Sequence, residues 1–115
     1  MLTEEDFRNK SAEAIDDLEE RVIRVAEEHE FEVETGGGML TLIFEEPAPS
    51  RFIVSPNSPA RQIWVSALST SYKFDWDDNA KSFVLDKTRE PFLKVMGNLL
   101  GQQLRATVSL TDFKC

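Results

Sequence analysis

The sequence has a single cysteine, Cys115, at the last of its 115 positions. A lone thiol excludes an internal disulfide and a cysteine-based metal cage, and it fits a reducing compartment. Histidine is equally scarce, with His29 alone. Without a second histidine, and with the cysteine terminal, there is no His/Cys dyad and no zinc site. No apolar run exceeds a few residues, so no segment is long enough for a transmembrane helix. The opening MLTEEDFRNK has neither a secretory apolar core nor an Arg-rich, acid-poor transit pattern, and reads as a mature or cytosolic N-terminus. No glycine-rich loop leads into a helix; Gly36-Gly37-Gly38 joins two strand-like segments, so a phosphate loop is missing. Basic residues are also few: 13 Lys and Arg stand against 21 Asp and Glu, for a net charge of -8. That balance repels nucleic acid and anionic membranes and attracts cations and basic protein surfaces.

What is present suits one packed domain, residues 1–115, with 41% hydrophobic and 10% aromatic residues. The charge is uneven. Residues 1–46 hold 15 acids and 4 bases, whereas residues 47–115 hold 6 acids and 9 bases. Phe7, Ser11, Ala14, Ile15, Leu18, Val22, Val25 and His29 recur at helical spacing, and Thr3 with Asp6 is a helix-start signal. The opposite face of this helix carries Glu13, Asp16, Asp17, Glu20 and Glu27, with Arg24 as the one base and Ile23 exposed nearby. Then the period changes to two. Phe31 and Val33 alternate with Glu30, Glu32 and Glu34, and Gly36–Gly38 is a turn. Leu40, Leu42 and Phe44 alternate with Met39, Thr41 and Ile43 in a strand apolar on both faces, expected to be central. Pro47 and Pro49 break the connection to a strand at 51–54. Pro56–Ala60 is a turn, and further strands follow at 62–66, 72–76 and 82–85, the last two joined by Asp77-Asp78-Asn79. A closing helix is expected to be capped by Thr88, with Glu90 and Pro91 in its first turn. Its buried stripe is Phe92, Leu93, Met96, Leu99, Leu100, Gln103 and Leu104; Gly97 and Gly101 mark close packing, and Thr107–Leu110 is an apolar tail over the core. The expected fold is α+β: a two-layer sandwich with N- and C-terminal helices on one face of an antiparallel sheet of about six strands.

Two stretches remain to be explained. Glu27, Glu28, Glu30, Glu32 and Glu34 put five carboxylates in nine residues. Strand neighbours two apart lie about 6.6 Å apart on one side, and two such charges in water repel by about 0.6 kcal/mol. A solvated helix face and protection of an edge strand account for one or two of them. The functional readings are a weak, hydrated site for hard cations such as Fe²⁺, Mn²⁺, Mg²⁺ or Ca²⁺, or a docking surface for an arginine-rich partner. The second stretch is Gln62–Ser66. If Ile63 and Val65 face the helices, Gln62, Trp64 and Ser66 face outward. An outward indole is either a binding anchor or a sheet-face residue shielded by Arg61 or Lys73 through a cation–π contact.

An ordered series of segments resembles the frataxin family, including its bacterial CyaY members: LEER at 18–21, GGGMLTLIFE at 36–45, FIVSPNSPARQIWVS at 52–66 and YKFDW at 72–76. The resemblance spans roughly residues 3–110 and implies the same two-layer sandwich. It also implies an accessory and regulatory role in iron–sulfur cluster assembly, with weak Fe²⁺ and Fe³⁺ binding on an acidic ridge. Docking on cysteine desulfurase and the scaffold protein, modulating sulfur transfer or iron delivery, belongs to the same implication. Glu19, Glu20, Glu28, Glu30, Glu32 and Glu34 match ridge positions; Glu27 adjoins them, and Asp16 and Asp17 extend the surface by helical placement. Ile23 and Arg24 depart from the pattern, since bacterial members often carry acids there. Gln62 and Trp64 match scaffold-facing positions, beside Ser66. Lys73 stands where mitochondrial members carry a partner-contacting arginine, and Ser55 and Asn57 replace the usual polar pair. The resemblance places the protein in the bacterial cytoplasm, or in the mitochondrial matrix after removal of a transit peptide, as a monomer with iron-induced oligomers as an option. Two other readings stand beside it: an oligomerising iron store with ferroxidase activity, and an acidic adaptor that sequesters a basic protein without metal.

Overall fold

The computed structural model describes residues 2–46 and 48–110. Pro47 and Cys115 lie outside the described residues. The elements are α1 (Glu4–His29), β1 (Glu32–Gly36), β2 (Met39–Phe44), β3 (Ser50–Asn57), β4 (Gln62–Ala67), β5 (Thr70–Asp77), β6 (Ser82–Leu85) and α2 (Phe92–Leu104). The six strands form one sheet in chain order, each antiparallel to the next. That is the expected meander with two helices.

α1 begins where Thr3 Oγ1 accepts from the Asp6 backbone N–H at 3.0 Å, satisfying one of the orphan donors of the first turn. Its buried residues are Phe7, Ser11, Ile15, Leu18, Val22 and Val25; Ala14 and His29 flank the stripe, half-buried. The helix ends at Glu30, whose left-handed backbone (φ 58°) turns the chain and whose N–H bonds Ala26 O at 2.7 Å. Glu30 is therefore a helix cap and not a strand residue, which corrects the expected run of three same-side strand glutamates. Only Glu32 and Glu34 are spaced that way. Gly37 and Gly38, both at positive φ, make the two-residue turn that joins β1 to β2, as a primed hairpin turn requires.

β2 lies second from the edge, and only its Leu40, Leu42 and Phe44 face is buried. Three strands run longer than the residue pattern suggests. β3 continues through Pro56 and Asn57, because β2 pairing ends at Val54 and Pro56 has a strand partner only in β4. The turn therefore begins at Ser58, and Asn57 Oδ1 accepts from Ala60 N–H at 3.0 Å. β4 and β5 extend to Ala67 and from Thr70, so their turn is just Leu68-Ser69, both at positive φ.

One core joins the helices to one sheet face. Phe44 stacks against Phe31 and Phe52 at centroid distances of 4.6 and 4.9 Å, and Phe74 meets Phe92 edge-on at 5.0 Å. Trp76 packs edge-on against Phe83 at 5.3 Å, with Lys10 Nζ 4.6 Å from its ring. α2 is entered from Pro91, without a side-chain cap. Thr88 does not cap it. Its hydroxyl instead accepts from Glu90 N–H at 3.2 Å and donates to Glu90 Oε1 at 3.0 Å, closing the preceding turn. The α2 stripe also includes Val95, while Leu93 and Leu104 are half-buried at its margins.

The tail crosses α2 at its glycines. A Cβ on Gly97 would lie 3.2 Å from Val108 O, and one on Gly101 2.9 Å from Ala106 O. Leu110 is then buried, and its carbonyl accepts from Arg21 Nη1. The Gly101→Ala variant gains about 1 kcal/mol of helix propensity but must push backbone aside, a cost of roughly 1–3 kcal/mol. A net loss of up to about 2 kcal/mol is expected by urea denaturation; a stabilised variant would show that the tail does not rest on the helix there.

The β5–β6 turn makes a second prediction. Asp77 Oδ1 accepts from the N–H groups of Ala80 (3.1 Å) and Asn79 (2.8 Å), and Oδ2 accepts from Arg89 Nη2 at 3.1 Å. The two backbone donors, with Arg89 in support, hold its carboxyl below the ordinary value of 3.8. A depressed folded-state pKa gives stability that is present above the unfolded value and lost as pH falls through the folded one. The Tm deficit of Asp77→Ala relative to wild type should be full near neutrality and shrink below about pH 4. A deficit that stays constant down to pH 2 would show that the carboxylate charge has no part in it.

Candidate functional site

The acidic residues border several separate hollows. α1 carries Asp16 and Glu19 on its flank toward the β1–β2 hairpin, where they line a hollow of about 520 Å³ with Arg8, Thr35 and Gly36–Gly38. Glu20 and Glu27 are exposed. Asp17 is on the other flank, ion-paired with Arg21 at 3.1 Å, and lines a separate cleft with Lys10, Trp76 and Phe92. The structure thus separates Asp17 from Asp16, one residue and about 100° of helix away. Glu28 Oε2 is 3.9 Å from His29 Nε2 at the helix end.

Glu32 and Glu34 belong to a different surface. They pair across the hairpin with Ile43 and Thr41, so their side chains share the sheet face opposite the helices, and both are exposed. Glu30 and Glu32 also border a small hollow with His29, Phe31, Ile43, Glu45 and Glu46. Sequence reasoning passed over Glu45 and Glu46. The signal was available: folding β1 onto β2 about the Gly37-Gly38 turn carries the chain past Ile43 back to the helix end. Among the described residues, no three His, Cys, Asp or Glu converge closely enough to hold a metal ion. The donor set is all oxygen and spread over exposed surface, which suits ions that keep most of their water and bind through one or two carboxylates.

The middle of the open sheet face is built by β3, β4 and β5. Ile63 and Val65 are buried beneath the helices at 0 and 1% exposure, which turns Gln62, Trp64 and Ser66 outward. Trp64 is 39% exposed and pairs in register with Ser55 on one side and Lys73 on the other. Lys73 Nζ lies 5.2 Å from the indole centroid. Arg61 is not the shield. It occupies the preceding turn at positive φ and bonds Ser58 O, leaving its Nε buried without a partner. The Trp64 Nε1–H donates to Gln62 Oε1 at 2.9 Å, and Gln62 Nε2 donates to Asp75 Oδ1 at 2.9 Å. Asp75, absent from the sequence-based site, is the strand partner of Gln62. Asn57 pairs with Gln62 on the other side, but its own side chain closes the Ser58–Arg61 turn.

This geometry separates two neighbours in one strand. Trp64→Ala should cost about 1 kcal/mol, as expected at an exposed position. Ile63→Ala, at 0% exposure, should cost roughly 2–5 kcal/mol. Denaturant melts check both. Equal losses would mean that the two residues share an environment, and the assignment of faces would be withdrawn.

The comparisons with known proteins agree with the fold. The family model for the Frataxin-like domain matches residues 1–106. A protein of Azotobacter vinelandii named "Iron-sulfur cluster assembly protein CyaY" is 30% identical over 105 residues, covering 90% of this chain and 90% of that one. A protein of the same name from Pseudomonas fluorescens (strain Pf0-1) is 26% identical over 91 residues, covering 77% of this chain and 81% of the other. The solved frataxin of Psychromonas ingrahamii superposes with a TM-score of 0.73 at 21% identity, over 96% of this chain and all of that one, a likeness of fold. With a helix–six-strand–helix sandwich and a family match over nearly its whole length, the chain belongs to the frataxin-like family.

Proposed function

We propose that this protein is an accessory and regulatory component of iron–sulfur cluster assembly, the process for which its relatives in Azotobacter and Pseudomonas are named. In this reading it is not itself a catalyst. It docks on the complex of cysteine desulfurase and scaffold protein and modulates sulfur transfer or iron delivery. The observation that carries the reading is Trp64: a large indole on an uncovered sheet face, held in place by Gln62 and Lys73. Such a side chain has the size and desolvation gain of an interface anchor. The acids support it in two ways. Glu32 and Glu34 rim the same face and suit a basic partner surface. Asp16, Glu19, Glu20, Glu27 and Glu28 line the exposed side and end of α1, where Fe²⁺ or another hard divalent ion binds weakly as cargo.

Two measurements test this. Tagged full-length chain should retain cysteine desulfurase and scaffold from host lysate, and purified components should reproduce the binding. Trp64→Ala should weaken it by about thirtyfold, the equivalent of 2 kcal/mol at an anchor. Retention of neither protein would sink the docking reading. Titration with Co²⁺ or Mn²⁺ should shift backbone resonances within residues 16–34 at micromolar to millimolar ion; shifts centred on residues 55–75 would remove the metal part.

A further inference from the structure

Gln62 and Trp64 stand side by side on the open sheet face, but both polar groups of the Gln62 side chain are engaged within the protein. An indole N–H can only donate and an ionised carboxylate can only accept. Placed on either side of one amide, they leave a single consistent orientation: oxygen toward Trp64, nitrogen toward Asp75. Strand register enforces the arrangement, since Asp75 is directly opposite Gln62, and Gln62 and Trp64 are two apart on the same side of β4. On its other side the indole has the Lys73 ammonium over its ring.

We infer that Asp75 is a positioning residue of the docking face: it fixes the Gln62 amide and, through it, the indole of Trp64, so that the anchor is in place before a protein partner arrives. The inference rests on the reading of the open sheet face as a docking surface, and it adds a residue and a mechanism to that reading. An exposed tryptophan free to change rotamer must be ordered when it binds, and that loss of freedom is subtracted from affinity. A relay that has already ordered it removes the penalty, worth roughly two- to tenfold in Kd for one side chain. Asp75 is half-buried and needs no contact with the partner to act in this way.

The test has an arm on the free protein and an arm on the complex. In ¹⁵N-labelled full chain the two indole N–H resonances belong to Trp64 and Trp76, and Trp76, bonded to Asp78, is the internal reference. Asp75→Ala should shift the Trp64 indole resonance and speed its hydrogen exchange several-fold, as Gln62→Ala does, with Trp76 unmoved. Asp75→Asn keeps an acceptor oxygen and should restore the wild-type signal. An unchanged Trp64 indole in Asp75→Ala overturns the relay whatever the partner proves to be. Against the purified desulfurase–scaffold complex, Asp75→Ala should weaken binding roughly two- to tenfold and Asp75→Asn should bind nearly as wild type. In a Gln62→Ala background, Asp75→Ala should add no further loss. Equal losses in both backgrounds, or a full loss in Asp75→Asn, would mark Asp75 as a direct charged contact and overturn the positioning role. If the wild-type chain does not bind the complex, the docking reading fails, while an indole that responds to Asp75 still establishes the relay in the free protein.

Discussion

Two helices cover one face of a six-stranded sheet, and nothing among the described residues covers the other. Most of the exposed chemistry follows from that asymmetry. Successive strand residues point to opposite faces, so each side chain committed to the core turns its neighbours to solvent. Ile63 and Val65 are buried under the helices, and Trp64 between them is therefore outward. Val33 packs against the core, and Glu32 and Glu34 are therefore on the open face. A one-residue slip would reverse the faces of the strand concerned, burying Trp64 in β4 or the two carboxylates in β1. The phenylalanine cluster of Phe31, Phe44 and Phe52 opposes such a slip more strongly than any surface interaction could.

The same comparison of magnitudes explains how β1 tolerates its charge. Repulsion between Glu32 and Glu34 is about 0.6 kcal/mol in water, and salt reduces it further. Burying a phenylalanine such as Phe31 contributes roughly 1.5–3 kcal/mol. The strand can therefore carry carboxylates at no risk to its pairing. As the first strand of the sheet it gains protection against edge-to-edge association. The charge is thus affordable to the fold whether or not a ligand meets it, and a count of acids alone cannot identify a metal site.

The sequence pattern revealed the layers, the strand order and the orientation of Trp64, because those depend on periodicity and short connections. It was weaker where geometry depends on a partner elsewhere in the chain. Thr88 carries a helix-start signal, yet it closes a turn with Glu90 and leaves the helix to begin from Pro91. Leu68-Ser69 has no glycine or asparagine to announce a primed turn, yet the register of β4 on β5 forces one. Gly97 and Gly101 read correctly as close packing, but only the path of the tail shows what they admit. In the site, helical placement groups Asp17 with Asp16, whereas the structure sets Asp17 on the other flank of the helix beside Arg21. Glu45, Glu46 and Asp75 were missed because each acquires its neighbours across a hairpin, a relation that residue-by-residue reading does not register.

The open face also has a direction. Glu32 and Glu34 stand at its β1 side, Arg51 pairs with Ile43 one strand further in, and Lys73 is beside Trp64 on β5. The face is acidic at its β1 edge, whereas near the indole the charge is mixed, with Lys73 beside Trp64 and Asp75 opposite Gln62. An apolar anchor by itself fixes a point of contact and leaves a partner free to rotate about it. An acidic edge on the same face restricts that freedom, because a reversed orientation loses its attraction to a basic patch on the partner. Anchor and acidic edge are separated by three strand spacings, about 15 Å, which is within the footprint of one ordinary protein interface. The acidic strand and the tryptophan strand share this face, and the docking reading assigns Trp64 the point of contact and the glutamates the orientation.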